Sequence, residues 1–105
     1  MDYEAIDELY KLSEACDSIN RQLVDAKEKH AMIEIKLFKA LSTVAGSEKL
    51  SRDNRIIALM RNGNDAVAQE FVDSENHVSS LNQAYRYAEN MINVKKHINN
   101  ISNIK

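Results

Sequence analysis

The chain has 105 residues, no proline, and glycine only at Gly46 and Gly63. That length allows one domain at most, and so few turn residues exclude a sheet protein. A net charge of −2 excludes a globally basic nucleic-acid binder, and the single cysteine, Cys16, excludes an intrachain disulfide.

The lone thiol fits a reducing compartment. The first twenty residues are acidic and periodic and do not read as a signal peptide. No apolar run approaches the ~20 residues that span a bilayer. The expectation is a cytoplasmic protein without membrane contact. Charge is uneven: Asp2, Glu4, Asp7, Glu8, Glu14 and Asp17 face only Lys11 in the first twenty residues. Arg86, Lys95, Lys96 and Lys105 face only Glu89 in residues 82–105. Such asymmetry steers partners or self-assembly, or it complements helix dipoles.

The first predicted element is a long helix over 1–45. Ala5, Leu9, Leu12, Cys16, Ile19, Leu23, Ala26, His30, Ile33, Leu37, Ala40 and Val44 alternate steps of four and three. That is a coiled-coil seam of more than five heptads. A helix of about 40 residues is ~60 Å long, more than a compact domain of this size needs. Met32, Ile35, Phe38 and Leu41 widen the stripe in the second half, which predicts more than one neighbour there. Gly46 is the predicted stop.

Ser51 is a good N-cap for a short helix over 52–62, with Ile56, Ile57, Leu59 and Met60 as its apolar surface. Asn62-Gly63-Asn64 ends it. A second long helix follows over 65–102, capped by Asn64 or Asp65. Val67, Phe71, Ser74, Val78, Leu81, Tyr85, Ala88 and Ile92 again step by four and three. The stripe then drifts to Met91, Val94, Ile98 and Ile101. Asp73-Ser74 can cap a restart, so a break near 73–75 is allowed. The many asparagines make this segment a weak helix former that depends on packing.

The expected architecture is all-α: one domain over 1–105, two long helices joined by a short one, as a coiled-coil-like hairpin. Two helices do not cover both stripes, which predicts a homo-oligomeric bundle, a dimer or higher. Leu9, Leu12, Cys16, Ile19, Leu23, His30, Ile33 and Leu37 are the predicted oligomerisation residues.

Catalytic signatures are missing from the sequence. Two isolated glycines build no phosphate loop, and there is no CxxC or HExxH spacing for zinc. Cys16 sits beside Glu14 and Asp17, the wrong surroundings for a reactive thiolate. His30 and Glu34 stand one turn apart, but a polar seam residue more often sets register than binds metal. No enzyme, cofactor or metal is expected.

Two features suit nucleic acid. The connection and short helix carry Lys39, Lys49, Arg52, Arg55 and Arg61, with Ser47, Ser51 and a helix N-terminus as phosphate donors. Near the C-terminus, Arg86, Asn90, Asn93, His97 and Asn100 share a face close to Tyr85, Tyr87, Lys95 and Lys96. Aromatics among bases and amides suit single strands. The plainer alternative is a core tyrosine and solvated charges.

Lys39-Ala40-Leu41, four residues and then Gly46, resembles the small phage recombination mediators of the UvsY type. In these a Lys-Ala-Arg-Leu stretch ends a helix shortly before a glycine-containing loop. Asp73-Ser74, His77, Leu81, Ala84 and Ala88 also resemble a pattern of small phage proteins. The motif's arginine is absent here, and Lys36, Lys39, Lys49, Arg52 and Arg55 stand around the same loop. The resemblance implies a helical oligomer that binds single-stranded DNA and helps load a recombinase. The other expectation is a small protein-binding inhibitor or adaptor, such as a phage anti-defence protein, acting on a host or phage protein.

Overall fold

The computed structural model describes residues Tyr3–Asn103, leaving out the side chains of Ser102 and Asn103. Asp2 and Lys105, counted in the charge asymmetry, lie outside the described residues. The elements are α1 (Tyr3–Leu41), a 3-10 turn (Ser47–Lys49), α2 (Arg52–Arg61) and α3 (Asp65–Asn103). There is no strand among the described residues. The all-α class is as expected.

Contacts divide the chain into two compact units. The loop unit is Asp25–Val78. The terminal unit takes α1 up to Val24 and α3 from Ser79 onward.

The core of the loop unit is Leu37, Leu41, Ile56, Leu59, Ala68 and Phe71, with Ile33, Ala40, Val67 and Val72 packed against it. Here α1 and α3 run antiparallel, as Lys36 reaches Glu70 at 3.4 Å and His30 reaches Ser74 at 2.7 Å. α2 closes the open side by driving Leu59, which is fully buried, between them. α2 begins where Ser51 Oγ accepts from the Asn54 N–H, so the predicted cap is the observed one. It ends where Asn62 turns its amide back onto the Ala58 carbonyl and Gly63 takes φ 79°. Only glycine holds that conformation without strain.

α1 stops at Leu41, short of the predicted 45. The reason is local. Ser42 Oγ donates to the Lys39 carbonyl, Thr43 Oγ1 to Ala40 and Ser47 Oγ to Leu41. These hydroxyls take acceptors that the next helical turn would use. Gly46 therefore serves the 3-10 turn, at φ 75°, rather than the end of α1.

The terminal unit is a leaner antiparallel pair. Cys16, Leu23 and Ala88 are buried, and Leu9, Leu12, Ile19, Leu81, Tyr85 and Ile92 are half-buried. Lys95 holds Glu8 across the pair at 2.6 Å.

Every seam position read from α1, Ala5 to Val44, is buried or half-buried in the single chain. Leu9, Leu12, Cys16, Ile19 and Leu23 in one unit, and His30, Ile33 and Leu37 in the other, are thus spent on α3 of the same chain. The widening of α1 also resolves differently. Leu41 is buried, whereas Met32, Ile35 and Phe38 are 67 %, 56 % and 51 % exposed.

α3 is one helix through 73–75. Ser74 Oγ donates to the Phe71 carbonyl, and Asp73 accepts from Gln69, so neither residue caps a restart. The inner row of α3 does not drift. It continues at half-buried Lys95 and Asn99, leaving Val94, Ile98 and Ile101 exposed.

Leu59→Ala is expected to cost about 3 kcal/mol, since a fully buried leucine is replaced by a cavity. Urea denaturation followed by circular dichroism measures it. Tyr87→Ala, on the exposed surface, should change stability by less than about 0.5 kcal/mol in the same assay.

Candidate functional site

The nine residues assigned to nucleic acid fall into two groups in the structure. Some hold the fold, and the rest are exposed and uncommitted.

Arg52 holds the fold. Its Nε donates to Glu75 Oε2 at 2.9 Å, Nη2 meets Glu75 Oε1, and Nη1 donates to Asp53 Oδ1 at 2.6 Å. The guanidinium also lies 5.8 Å from the centre of the Phe71 ring. The bonds to Glu75, and then to Asp53, raise its pKa above the ordinary arginine value. Arg55 donates from Nε to the Ser47 carbonyl at 3.2 Å and from Nη2 to the Glu48 carbonyl at 3.3 Å. It ties α2 to the 3-10 turn, which leaves little of it for a ligand. Lys95 pairs with Glu8.

Lys39, Lys49 and Arg61 in the loop unit, and Arg86 and Lys96 in the terminal unit, are exposed. None has an ion pair among the described residues. Tyr87 is 69 % exposed. Tyr85 is instead half-buried, and its hydroxyl pKa is raised first by a hydrogen bond to Glu89, then by the charge of Glu89. Asp17 adds a weaker push.

α3 brings the C-terminal group together. Arg86, Asn90, Asn93, His97 and Asn100 step by four, three, four and three, so they share one helix face. All five are exposed. Beside them, on the next positions round the helix, lie Tyr87, Val94 and Ile101. Exposed Glu89, which accepts from the Tyr85 hydroxyl, stands on the Lys96 side of this face one turn from Arg86, and from Asn90 to Ile101 the helix carries no carboxylate. The loop group is less gathered. Arg61 lines a shallow groove of about 380 Å³ with Leu50, Asn54, Ile57 and Asn62, while Lys39 and Lys49 do not line it.

His30 is a packing residue. Ser74 Oγ gives its proton to the Phe71 carbonyl at 3.0 Å, so His30 Nδ1 must be the donor to Ser74 Oγ. The imidazole also tilts 34° against Phe71, with centroids 5.2 Å apart. No group of three or more His, Cys, Asp or Glu side chains is arranged to hold a metal among the described residues. Charge counts alone could not separate the committed arginines from the free ones, because Arg52 and Glu75 are 23 positions apart.

Comparison with known protein families, with curated proteins and with solved structures finds no match.

Arg55→Ala should therefore act on stability: it frees two carbonyls of the turn and should cost about 1–2 kcal/mol. Ser74→Ala, which strands the His30 Nδ1–H, should cost about 1 kcal/mol. Denaturant melts of the two variants check both values. Wild-type stability in either would remove the structural role assigned to that side chain.

Proposed function

We propose that this chain is a non-enzymatic accessory protein that binds single-stranded nucleic acid along the outward face of α3. One observation carries the reading. That face offers cation, amide, imidazole and aromatic groups, and its one carboxylate, Glu89, is engaged by the Tyr85 hydroxyl, so from Asn90 to Ile101 none is left to repel a phosphate. Arg86 and Lys96 supply charge that no ion pair among the described residues consumes. Asn90, Asn93 and Asn100 offer donors and acceptors to base edges. Tyr87 supplies an exposed ring on which a base can stack. The likeness to UvsY-type mediators points the same way. Lys39, Lys49 and Arg61 are secondary contacts on this reading, and Arg52, Arg55 and Lys95 are scaffold.

Few free cations mean a modest dependence on salt. Each phosphate contact on a single strand contributes about 0.7 to the slope of log affinity against log salt. Fluorescence anisotropy with a labelled oligothymidylate at low salt tests the reading. Arg86→Ala and Lys96→Ala should each weaken binding and flatten the slope. Tyr87→Ala should lose about 1–3 kcal/mol with the slope unchanged. No binding at low salt, or an Arg86→Ala/Lys96→Ala double variant that binds like the native chain, overturns the proposal.

A second reading, a small protein-binding inhibitor or adaptor, is favoured by Met32, Ile35 and Phe38, which make an exposed apolar face on the loop unit. It predicts a nuclease-resistant complex with one protein that Ile35→Glu abolishes.

A further inference from the structure

We propose that the loop unit holds a pocket for a single guanine base, recognised by Glu34 and His30 of α1 and Arg55 of α2. The pocket belongs wholly to that unit, so the proposal stands without the α3 face described above.

A cavity of about 270 Å³ opens among the three helices of the loop unit. His30, Glu34 and Phe38 line it from α1, Arg52 and Arg55 from α2, and Glu75 from α3. Pockets for drug-sized ligands begin near about 300 Å³, so this one suits a single ring system.

Most of its polar groups are already spent. Arg52 gives Nε and Nη2 to the two Glu75 oxygens and Nη1 to Asp53. Arg55 gives Nε and Nη2 to two carbonyls of the 3-10 turn, which leaves it Nη1.

Two acceptors are not spent. Glu34 is half-buried and makes no hydrogen bond or ion pair among the described residues. His30 uses Nδ1 as the donor to Ser74, so Nε2 of the neutral ring carries a lone pair. Nε2 has no partner within the chain and is reached by solvent. His30 and Glu34 stand one turn apart, with about 5–6 Å between their Cβ atoms, so the two acceptors are neighbours on one helix face.

These free groups select the ligand. A half-buried acceptor without a donor is costly, so the pocket suits a group that brings N–H donors. A phosphate would meet Glu34 and Glu75, and the arginine donors are nearly all used. A cation would meet Arg52 and Arg55, whose charges already balance those of the two carboxylates. A neutral planar group with adjacent N–H donors answers both constraints. Among the bases, guanine alone has a ring N–H next to an amino group. Glu34 accepts from N1–H and from one N2 proton, His30 Nε2 accepts the other N2 proton, and Arg55 Nη1 donates to O6. Adenine, cytosine and thymine each set an acceptor lone pair against the carboxylate. Exposed Phe38 supplies a ring on which the base stacks.

Nuclear magnetic resonance of the nitrogen-15-labelled full chain, titrated with guanosine, adenosine and cytidine, tests the pocket. Guanosine should shift the amide signals of His30, Glu34 and Phe38 to saturation, and the other two should not. Glu34→Gln keeps the size of the side chain but turns one acceptor into a donor. It should weaken guanosine binding at least about tenfold with helix content unchanged. Phe38→Ala should weaken it at least about fivefold. No shift with guanosine, equal shifts with all three nucleosides, or native affinity in Glu34→Gln overturns the pocket. So do the same shifts with inorganic phosphate or with argininamide. A second arm identifies the source of the base. A labelled oligothymidylate with one central deoxyguanosine is compared with the all-thymidylate strand by anisotropy. Tighter binding of the first, lost in Glu34→Gln, assigns the pocket to a base within a strand. Equal binding, with the guanosine shifts present, assigns it to a free nucleoside or nucleotide. An all-thymidylate strand that does not bind overturns the function proposed above and leaves the guanosine result standing.

Discussion

An apolar row that repeats every 3.5 residues stays on one side of an α-helix and has to meet a second helix along its length. α1 carries such a row, and α3 carries its counterpart in reverse order. Everything else in the chain follows from bringing these rows together. The connection has to turn the chain round, and it does so with three hydroxyl-to-carbonyl bonds and two left-handed glycines. α2 is then placed to seal the loop unit with Leu59, and Arg52 and Arg55 fix α2 to α3 and to the turn. The polar pair inside the row, His30 and Ser74, keeps its hydrogen bonds complete, so the seam can include it without an orphaned group.

That arrangement decides which charges remain available. A cation near the packed rows finds a carboxylate or a carbonyl within the chain, as Arg52, Arg55, Lys36 and Lys95 do. Of the outward cations, Lys11 pairs with Asp7 one turn away, whereas Lys39, Lys49, Arg61, Arg86 and Lys96 make no ion pair among the described residues. The division is geometrical rather than compositional. It moves the candidate interface from the connection, where the basic residues are densest in sequence, to the outward face of α3.

The rows themselves were legible in the sequence because periodicity is a local property. The positions from Ala5 to Val44 and from Val67 to Ile92 are the ones the structure buries or half-buries. What covers a row is a long-range property, and spacing is silent on it. The α1 seam predicts a second helix, and within the chain α3 packs along it. The end of α1 was misplaced for a local reason of another kind. The hydroxyls of Ser42 and Thr43 compete for the last carbonyls, an effect that apolar spacing does not register. The continuation of the inner row at Lys95 and Asn99 was missed because neither is apolar. A lysine stem packs well enough when its ammonium has Glu8 to meet. The amide face of α3 was visible in the sequence, since it needs only helical spacing. The commitment of Arg52 to Glu75 was not.

Asparagine is a poor choice for an exposed helix position, and it costs up to about 0.7 kcal/mol relative to alanine. Asn90, Asn93 and Asn100 all stand exposed on one face of α3, where lysine, glutamate or glutamine would keep the helix soluble and stronger. Their cost has to be offset by packing, yet the terminal unit buries little: Cys16, Leu23 and Ala88, with half-buried neighbours. The same stretch of α3 leaves a second apolar row uncovered. A helix weakened on one face and incompletely packed on another gains most from a ligand or partner that engages both. The amides and the uncovered row are therefore two halves of one physical problem. Covering the stripe stabilises the helix that displays the amides, and whatever binds the amides stabilises the helix that displays the stripe. By mass action, anything that engages only the folded helix also stabilises it.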